Sequence, residues 1–299
     1  IEKARKYIKI GTVAITAIFF TLTLYNSLNY KNGIRFWSEG IRDNPERPML
    51  YNGLANALII DGKIEQAEKA LRKSLKIDPS LYDTHYRLAN LYYENNKMNK
   101  ALQHFTEAFR IHPNLTEANV NLALVYRETG RYANAAEILK NALRLDPNNL
   151  TYIYNIIDNY KKAGNYDSAF SYIKTLEQKG QRIDFVKFYM DWSSHLAAEG
   201  KFNIALKKAS QALSLDPGNK DVLNSIGVYY ASQGNMGRAI SYWESALKKD
   251  PQYLPALKNF YKYYFDRKMY DKALIYAEMI LKYGGSIDQE QLRKLKGSY

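Results

Sequence analysis

Two hydrophobic patterns divide the chain. Residues Ile10 to Leu28 make 19 consecutive positions without a charge, bracketed by Lys9 and Lys31. From residue 48 onward, apolar and small residues instead recur at helical spacing in short segments broken by Gly or Asp-Pro. An uncharged run of roughly 20 residues, at ~1.5 Å per residue, has the length of a membrane-spanning helix. Short amphipathic segments with regular stops predict paired helices. With only 16 Gly and 8 Pro, and no alternating strand pattern between turn clusters, the expected class is all-α.

The stops are periodic. Pro45, Pro79, Pro113 and Pro147 are spaced by 34, as are Pro217 and Pro251. With Pro79 at position 32 of its unit, the first full unit is 48–81, carrying Leu54, Ala55, Gly62 and Ala67 at positions 7, 8, 15 and 20. Units 82–115 and 116–149 repeat the pattern with Leu88, Ala89, Tyr92 and Ala101, then Leu122, Ala123, Tyr126 and Gly130. Unit 150–183 has Gln181 where proline belongs. Two inserted residues precede 186–219, which keeps Trp192, Gly200 and Ala205. Unit 220–253 is the cleanest, with Gly227, Tyr230, Gly234 and Trp243, and the pattern runs on to about 285 through Tyr264, Ala273 and Ala277. Small residues at 8, 20 and 27 let two antiparallel helices cross closely. Glycine near 15 ends the first helix and Asp-Pro ends the second. Such a pair cannot bury its apolar face alone, so neighbours must stack.

This period and pattern resemble the tetratricopeptide (TPR) repeat. The resemblance implies a TPR α-solenoid, a right-handed superhelix of helix pairs, preceded here by one transmembrane helix. The expected organisation is a basic flank and span over 1–29, a half-repeat helix over 30–47, four repeats over 48–183 and three over 184–285. Residues 286–299 then form a polar capping helix, with Gly284 and Gly285 breaking the last repeat and Ser286 as its N-cap.

Lys3, Arg5, Lys6 and Lys9 precede the apolar run, so the positive-inside rule places the amino terminus in the cytoplasm and the array outside it, against Lys31 and Arg35 on the far side. Asn26, Ser27 and Leu28 make a poor cleavage site for a secretory leader. A buried helix of a soluble cytoplasmic scaffold is the other alternative. The chain opens on Ile1 rather than Met, as a processed product or the end of a longer protein would. The stretch YKNGIRFWSEGIRDN before Pro45 reads as the second helix of a half repeat joined to the span. That junction resembles the carboxy-terminal part of membrane glycosyltransferases of the transmembrane TPR O-mannosyltransferase type. The resemblance implies an array that recruits acceptor protein, and it carries over no catalytic residue.

The net charge of +13 is dispersed, without a run of five basic residues, so a nucleic-acid partner is not expected. The absence of cysteine excludes disulfides, thiol catalysis and cysteine-ligated metal. His85, His104, His112 and His195 contain no i, i+4 pair. Neither enzyme activity nor a cofactor is expected.

The TPR resemblance implies a concave face built from positions 2, 5, 6, 9, 12 and 13 of the first helices. Here it offers Asn52, Asn56, Tyr86, Asn90, Tyr93, Asn121, Arg127, Asn155, Asp158, Asn224 and Asn259, with Lys161, Lys162, Lys258 and Lys262. An asparagine amide can pair with both N–H and C=O of an extended backbone, so these residues predict capture of a protein or extended peptide with little sequence preference. Their recurrence resembles the asparagine ladder of TPR-bearing O-GlcNAc transferases. A clamp for acidic carboxy termini would need a base where Asn52 stands. Asn114 and Asn149 each open an Asn-Leu-Thr sequon placed just after a helix-ending proline, where exposure is expected. The expected role is a single-pass membrane scaffold in an extracytoplasmic complex.

Overall fold

The computed structural model describes residues 33–296, all-helical with no strand among them. Residues 33–43 are helical (α1), followed by α2 (Pro48–Ile60), α3 (Ile64–Ile77), α4 (Tyr82–Glu94), α5 (Met98–Ile111), α6 (Thr116–Glu128), α7 (Tyr132–Leu145), α8 (Leu150–Lys162) and α9 (Tyr166–Gln178). Then come α10 (Phe185–Ala198), α11 (Phe202–Leu215), α12 (Lys220–Ser232), α13 (Met236–Lys249), α14 (Leu254–Asp266), α15 (Tyr270–Lys282) and α16 (Gln289–Lys296). The chain forms two compact units that divide inside α9, between Thr175 and Leu176. The apolar run 10–28 lies outside the described residues, and no described helix is long and apolar enough to cross a membrane.

Each first helix ends in the same turn. In 48–81, Gly62 N–H bonds Ile59 O and Lys63 N–H bonds Leu58 O, with Gly62 at φ +74°, which is a Schellman cap. Glycine takes this left-handed conformation without a Cβ penalty. Two repeats make the same turn without glycine: Asn96 (φ +56°) and Lys268 (φ +59°) occupy the equivalent positions. The second helices end differently. Asp78, His112, Asp146, Asp216 and Asp250 each precede proline and leave helical conformation, because proline's ring disfavours helix in the residue before it. Where proline is missing, α9 and α15 borrow the first-helix device. Gly180 (φ +77°) and Gly284 (φ +82°) cap them, with Gln181 N–H on Leu176 O and Gly285 N–H on Ile280 O.

The small positions are fully buried at the crossings, as with Ala55, Ala67, Ala89 and Ala101 in the first unit and Ala205, Ala239 and Ala273 in the second. Two crossings are tighter still. A Cβ at Gly53 would lie 2.5 Å from the Trp37 indole, and one at Gly227 would lie 2.5 Å from the Trp243 indole. Trp37 thus locks α1 onto α2 as the half repeat.

Polar latches join neighbouring repeats. Tyr92 donates to Glu68 (2.8 Å) and accepts from Arg72 (2.9 Å), while Tyr160 donates to Glu137 (2.6 Å). Burial, then the carboxylate, raises both phenols' pKa. At the far end Asp288, not Ser286, caps α16, accepting from Gln291 N–H at 3.0 Å. Asp288 is the residue immediately before the helix, whereas Ser286 lies two positions too early. Leu295 of α16 is fully buried against the last repeat beside Tyr261 and Ile280.

Candidate functional site

The first helices of the first unit bring most of the predicted residues together in pairs across adjacent repeats. Asn121 on α6 donates its amide to Asn90 Oδ1 on α4 (3.2 Å) and to Tyr86 Oη (3.1 Å). Asn90 sits at position 9 and Asn121 at position 6 of the next unit, so a helix pair of fixed period places them side by side. Tyr93 donates to Glu128 (2.7 Å), which raises the phenol's pKa. Asp158 on α8 pairs with Arg127 (3.4 Å) and Lys162 (3.0 Å). Asn56 is exposed, and Asn155 is half-buried beside them.

The amide pair recurs in the second unit. There Asn259 on α14 donates to Asn224 Oδ1 on α12 at 2.8 Å, with exposed Lys258 and Lys262 next to Asn259. In both pairs the later asparagine is the donor. All four asparagines are half-buried. The pairs differ in that both amide hydrogens of Asn121 are taken, by Asn90 and Tyr86, whereas Asn259 gives only one, to Asn224.

Asn52 is different. It is 3% exposed, and its amide is held by Thr84 (2.8 and 3.0 Å) and Asp83 (3.3 Å). Ser74 completes the knot, bonding Thr84 and the Pro48 carbonyl. Asn52 thus joins α2 to α4 instead of lining an open face, because its side chain points into the helix crossing where Asn56 points out. The two sequons also separate. Asn114 is exposed, whereas Asn149 is half-buried, with its amide on Asp146 Oδ2 (3.0 Å) as the residue before α8.

A histidine contact escaped the spacing argument. His85 on α4 and His104 on α5 meet through their Nδ1 atoms at 2.9 Å. His85 Nε2 faces the Pro79 carbonyl at 3.1 Å, so His85 donates there, and the Nδ1 proton between the rings belongs to His104. Tyr92 stacks on His104 with centroids 5.6 Å apart. Burial, then His85 and Arg72, pulls the His104 pKa down to about 4. Only the helix-pair register, placing position 4 against position 23, could have signalled this pair.

Family models described as tetratricopeptide repeat match residues 50–81, 86–149, 126–184 and 190–253. No curated protein matches the chain. Among solved structures it is similar to Naa15/Naa10 bound to HypK-THB, with a TM-score of 0.67 and 18% identity, over 92% of this chain and 44% of that one. The chain thus spans less than half the length of that relative. It is also similar to YrrB, a TPR protein with an unusual peptide-binding site, at 21% identity and TM-score 0.36 over 75% of this chain and 96% of that one. A tetratricopeptide repeat protein from Parabacteroides merdae aligns at 17% identity and TM-score 0.39, over 83% of this chain and 97% of that one. At these identities the likeness concerns the fold alone.

Proposed function

The chain belongs to the tetratricopeptide repeat family, and from that premise we propose that it is a membrane-anchored scaffold capturing an extended polypeptide on its first helices. The observation that carries the reading is the set of amides and phenols on first helices: Asn56, Asn90 and Asn121 beside Tyr86 and Tyr93 in the first unit and, separately, the Asn224–Asn259 pair in the second. Backbone groups of a bound chain need such partners when they leave water. Asn155, Asp158 and Arg127 extend the face with charge.

Photoreactive residues placed at Asn56, Asn90 and Asn121 in the full chain should crosslink partner polypeptide. Attachment only to second-helix positions such as Lys69 and Gln103 would overturn the peptide-face reading. Anchorage rests on the uncharged run between Lys9 and Lys31, and the basic residues before it support an extracytoplasmic array within a membrane complex. The chain should resist extraction from membranes by alkali, and its release by carbonate would remove the anchor. The half repeat supports a second reading, the acceptor-recruiting tail of a membrane glycosyltransferase. Many hydrophobic spans encoded directly upstream of Ile1 would favour that reading, and an initiator Met within a few residues would end it.

A further inference from the structure

Helix α1 has an open side. In every later repeat the second-helix residues at positions 20, 24 and 27 are buried, as Ala67, Leu71 and Ser74 are in 48–81 and Ala239, Trp243 and Ala246 in 220–253. Their counterparts on α1, Gly33, Trp37 and Gly40, are only half-buried. Position 23 shows the same difference. Four repeats stack a ring at position 11 of the first helix on a ring at position 23 of the second: Tyr92 on His104, Tyr160 on Tyr172, Tyr230 on Tyr242 and Tyr264 on Tyr276, with centroids 5.6 to 6.1 Å apart. The ring at position 23 of α1 is Phe36, and it is 64% exposed. The reason is that α1 has no first helix of its own among the described residues. Toward α2, a Cβ at Gly33 would lie 3.7 Å from Ala57 and one at Gly40 would lie 3.6 Å from Leu50, which is ordinary contact. Packing on α2 therefore does not demand glycine at either place, and the two glycines leave the open side of α1 low enough for a helix to approach closely.

One period before α2 lie residues 14–26, wholly inside the uncharged run. In that register Ala17, Phe20, Thr21 and Leu24 fall at positions 4, 7, 8 and 11, the stripe that a first helix turns toward its second, with Leu24 opposite Phe36. We propose that residues 14–26 have a second seat besides the bilayer: out of lipid they fold as a first helix against α1, with Leu24 on Phe36, and make the half repeat a whole one. The array thereby holds the apolar stripe of its own anchor until insertion. The seat rests on the open side of α1; only its competition with lipid rests on the anchored reading. The two seats exclude each other. Helix α1 is about 16 Å long at ~1.5 Å per residue and would run back antiparallel beside the outer half of the span. That would carry the exposed Arg35, Glu39, Arg42 and Asp43 into hydrocarbon, where charge is costly. Seating on α1 in turn leaves Ile18, Phe19 and Leu22, on the other side of the run, without cover from it, so lipid draws the run out again.

The chain has no cysteine, so introduced thiol pairs are unambiguous. Phe36→Cys is combined in turn with single cysteines at residues 20–26 of the full chain, made by cell-free synthesis without membrane or detergent, and each pair is treated with a short bifunctional thiol reagent. Linking should peak at Leu24→Cys and fall several-fold at Leu22→Cys and Asn26→Cys, which lie on the other face at helical spacing. A flat profile, or a peak at Leu22 or Asn26, overturns the seat. The same pairs are then made in the presence of phosphatidylcholine and phosphatidylglycerol vesicles. Chains that become resistant to carbonate should lose the peak, and a peak retained in them overturns the competition. Chains that carbonate strips from the vesicles with the peak intact refute the anchored reading and leave the seat standing.

Discussion

Gly227→Ala sets two physical effects of opposite sign against each other. Alanine is the ordinary residue at this place, as at Ala55, Ala89 and Ala123, and a helix-interior Gly→Ala change stabilises by about 0.5–1 kcal/mol through lost unfolded-state entropy. Here the added methyl would sit 2.5 Å from Trp243 Cδ1 and Nε1 and 3.1 Å from the Ala239 carbonyl. Trp243 is 4% exposed and abuts Phe260 edge-on at 5.6 Å, so the indole has no free space to swing into. Overpacking of this kind costs about 1–3 kcal/mol, leaving a net destabilisation of about 1–2 kcal/mol. The assay is urea unfolding of the full chain, with hydrogen exchange in α12 and α13 to localise the loss. In a Trp243→Leu background the same alanine should become neutral or stabilising. A Gly227→Ala chain as stable as the parent, or more so, would refute the packing argument, as would an identical penalty in both backgrounds.

Lys268→Gly relieves a left-handed lysine and should stabilise by about 0.5–1 kcal/mol in thermal unfolding, whereas Gly62→Ala should cost about 1 kcal/mol at the equivalent turn. Asn52→Ala removes the amide that ties α2 to Thr84 and Asp83, which keep Ser74 and Arg87 as partners, and should cost about 1 kcal/mol, seen as faster exchange in both helices. The His104 pKa is depressed, to about 4, so the unfolded state binds the extra proton first. His104 should therefore stabilise fully above its unfolded value of about 6.5, and that contribution should fade as pH falls toward 4. His104→Gln should flatten this part of the pH dependence of the thermal midpoint relative to the parent.

Periodicity made most of the fold legible, because small residues at fixed places and proline-marked stops have few structural solutions. What stayed hidden depended on side-chain direction. Asn52 and Asn56 are four residues apart on one helix, yet the first points into the α2–α4 crossing and the second to solvent. Asn96 and Lys268 adopt the turn conformation without glycine, since the two capping hydrogen bonds, not the residue type alone, impose it. The end of α9 lost its proline signal, and Gly180 took over the stop that proline marks in the other repeats before the last. Asp288 rather than Ser286 caps α16, a two-residue difference that helix propensity does not resolve. Among the candidate-site residues, the period foretold that Asn90 and Asn121 would lie on adjacent first helices.

The repeated Schellman turn bears on how such a chain can change length. Because each first helix carries its own stop, at Gly62, Asn96, Gly130, Gly164, Gly200, Gly234 and Lys268, a genetic crossover between any two of these points exchanges complete helix pairs without needing a new terminator. At the two ends of the described residues, α1 packs on α2 through Trp37 and Gly53, and α16 buries Leu295. Duplication and loss are thereby confined to the interior, where each added module brings its own punctuation and inherits its neighbours' contact surfaces.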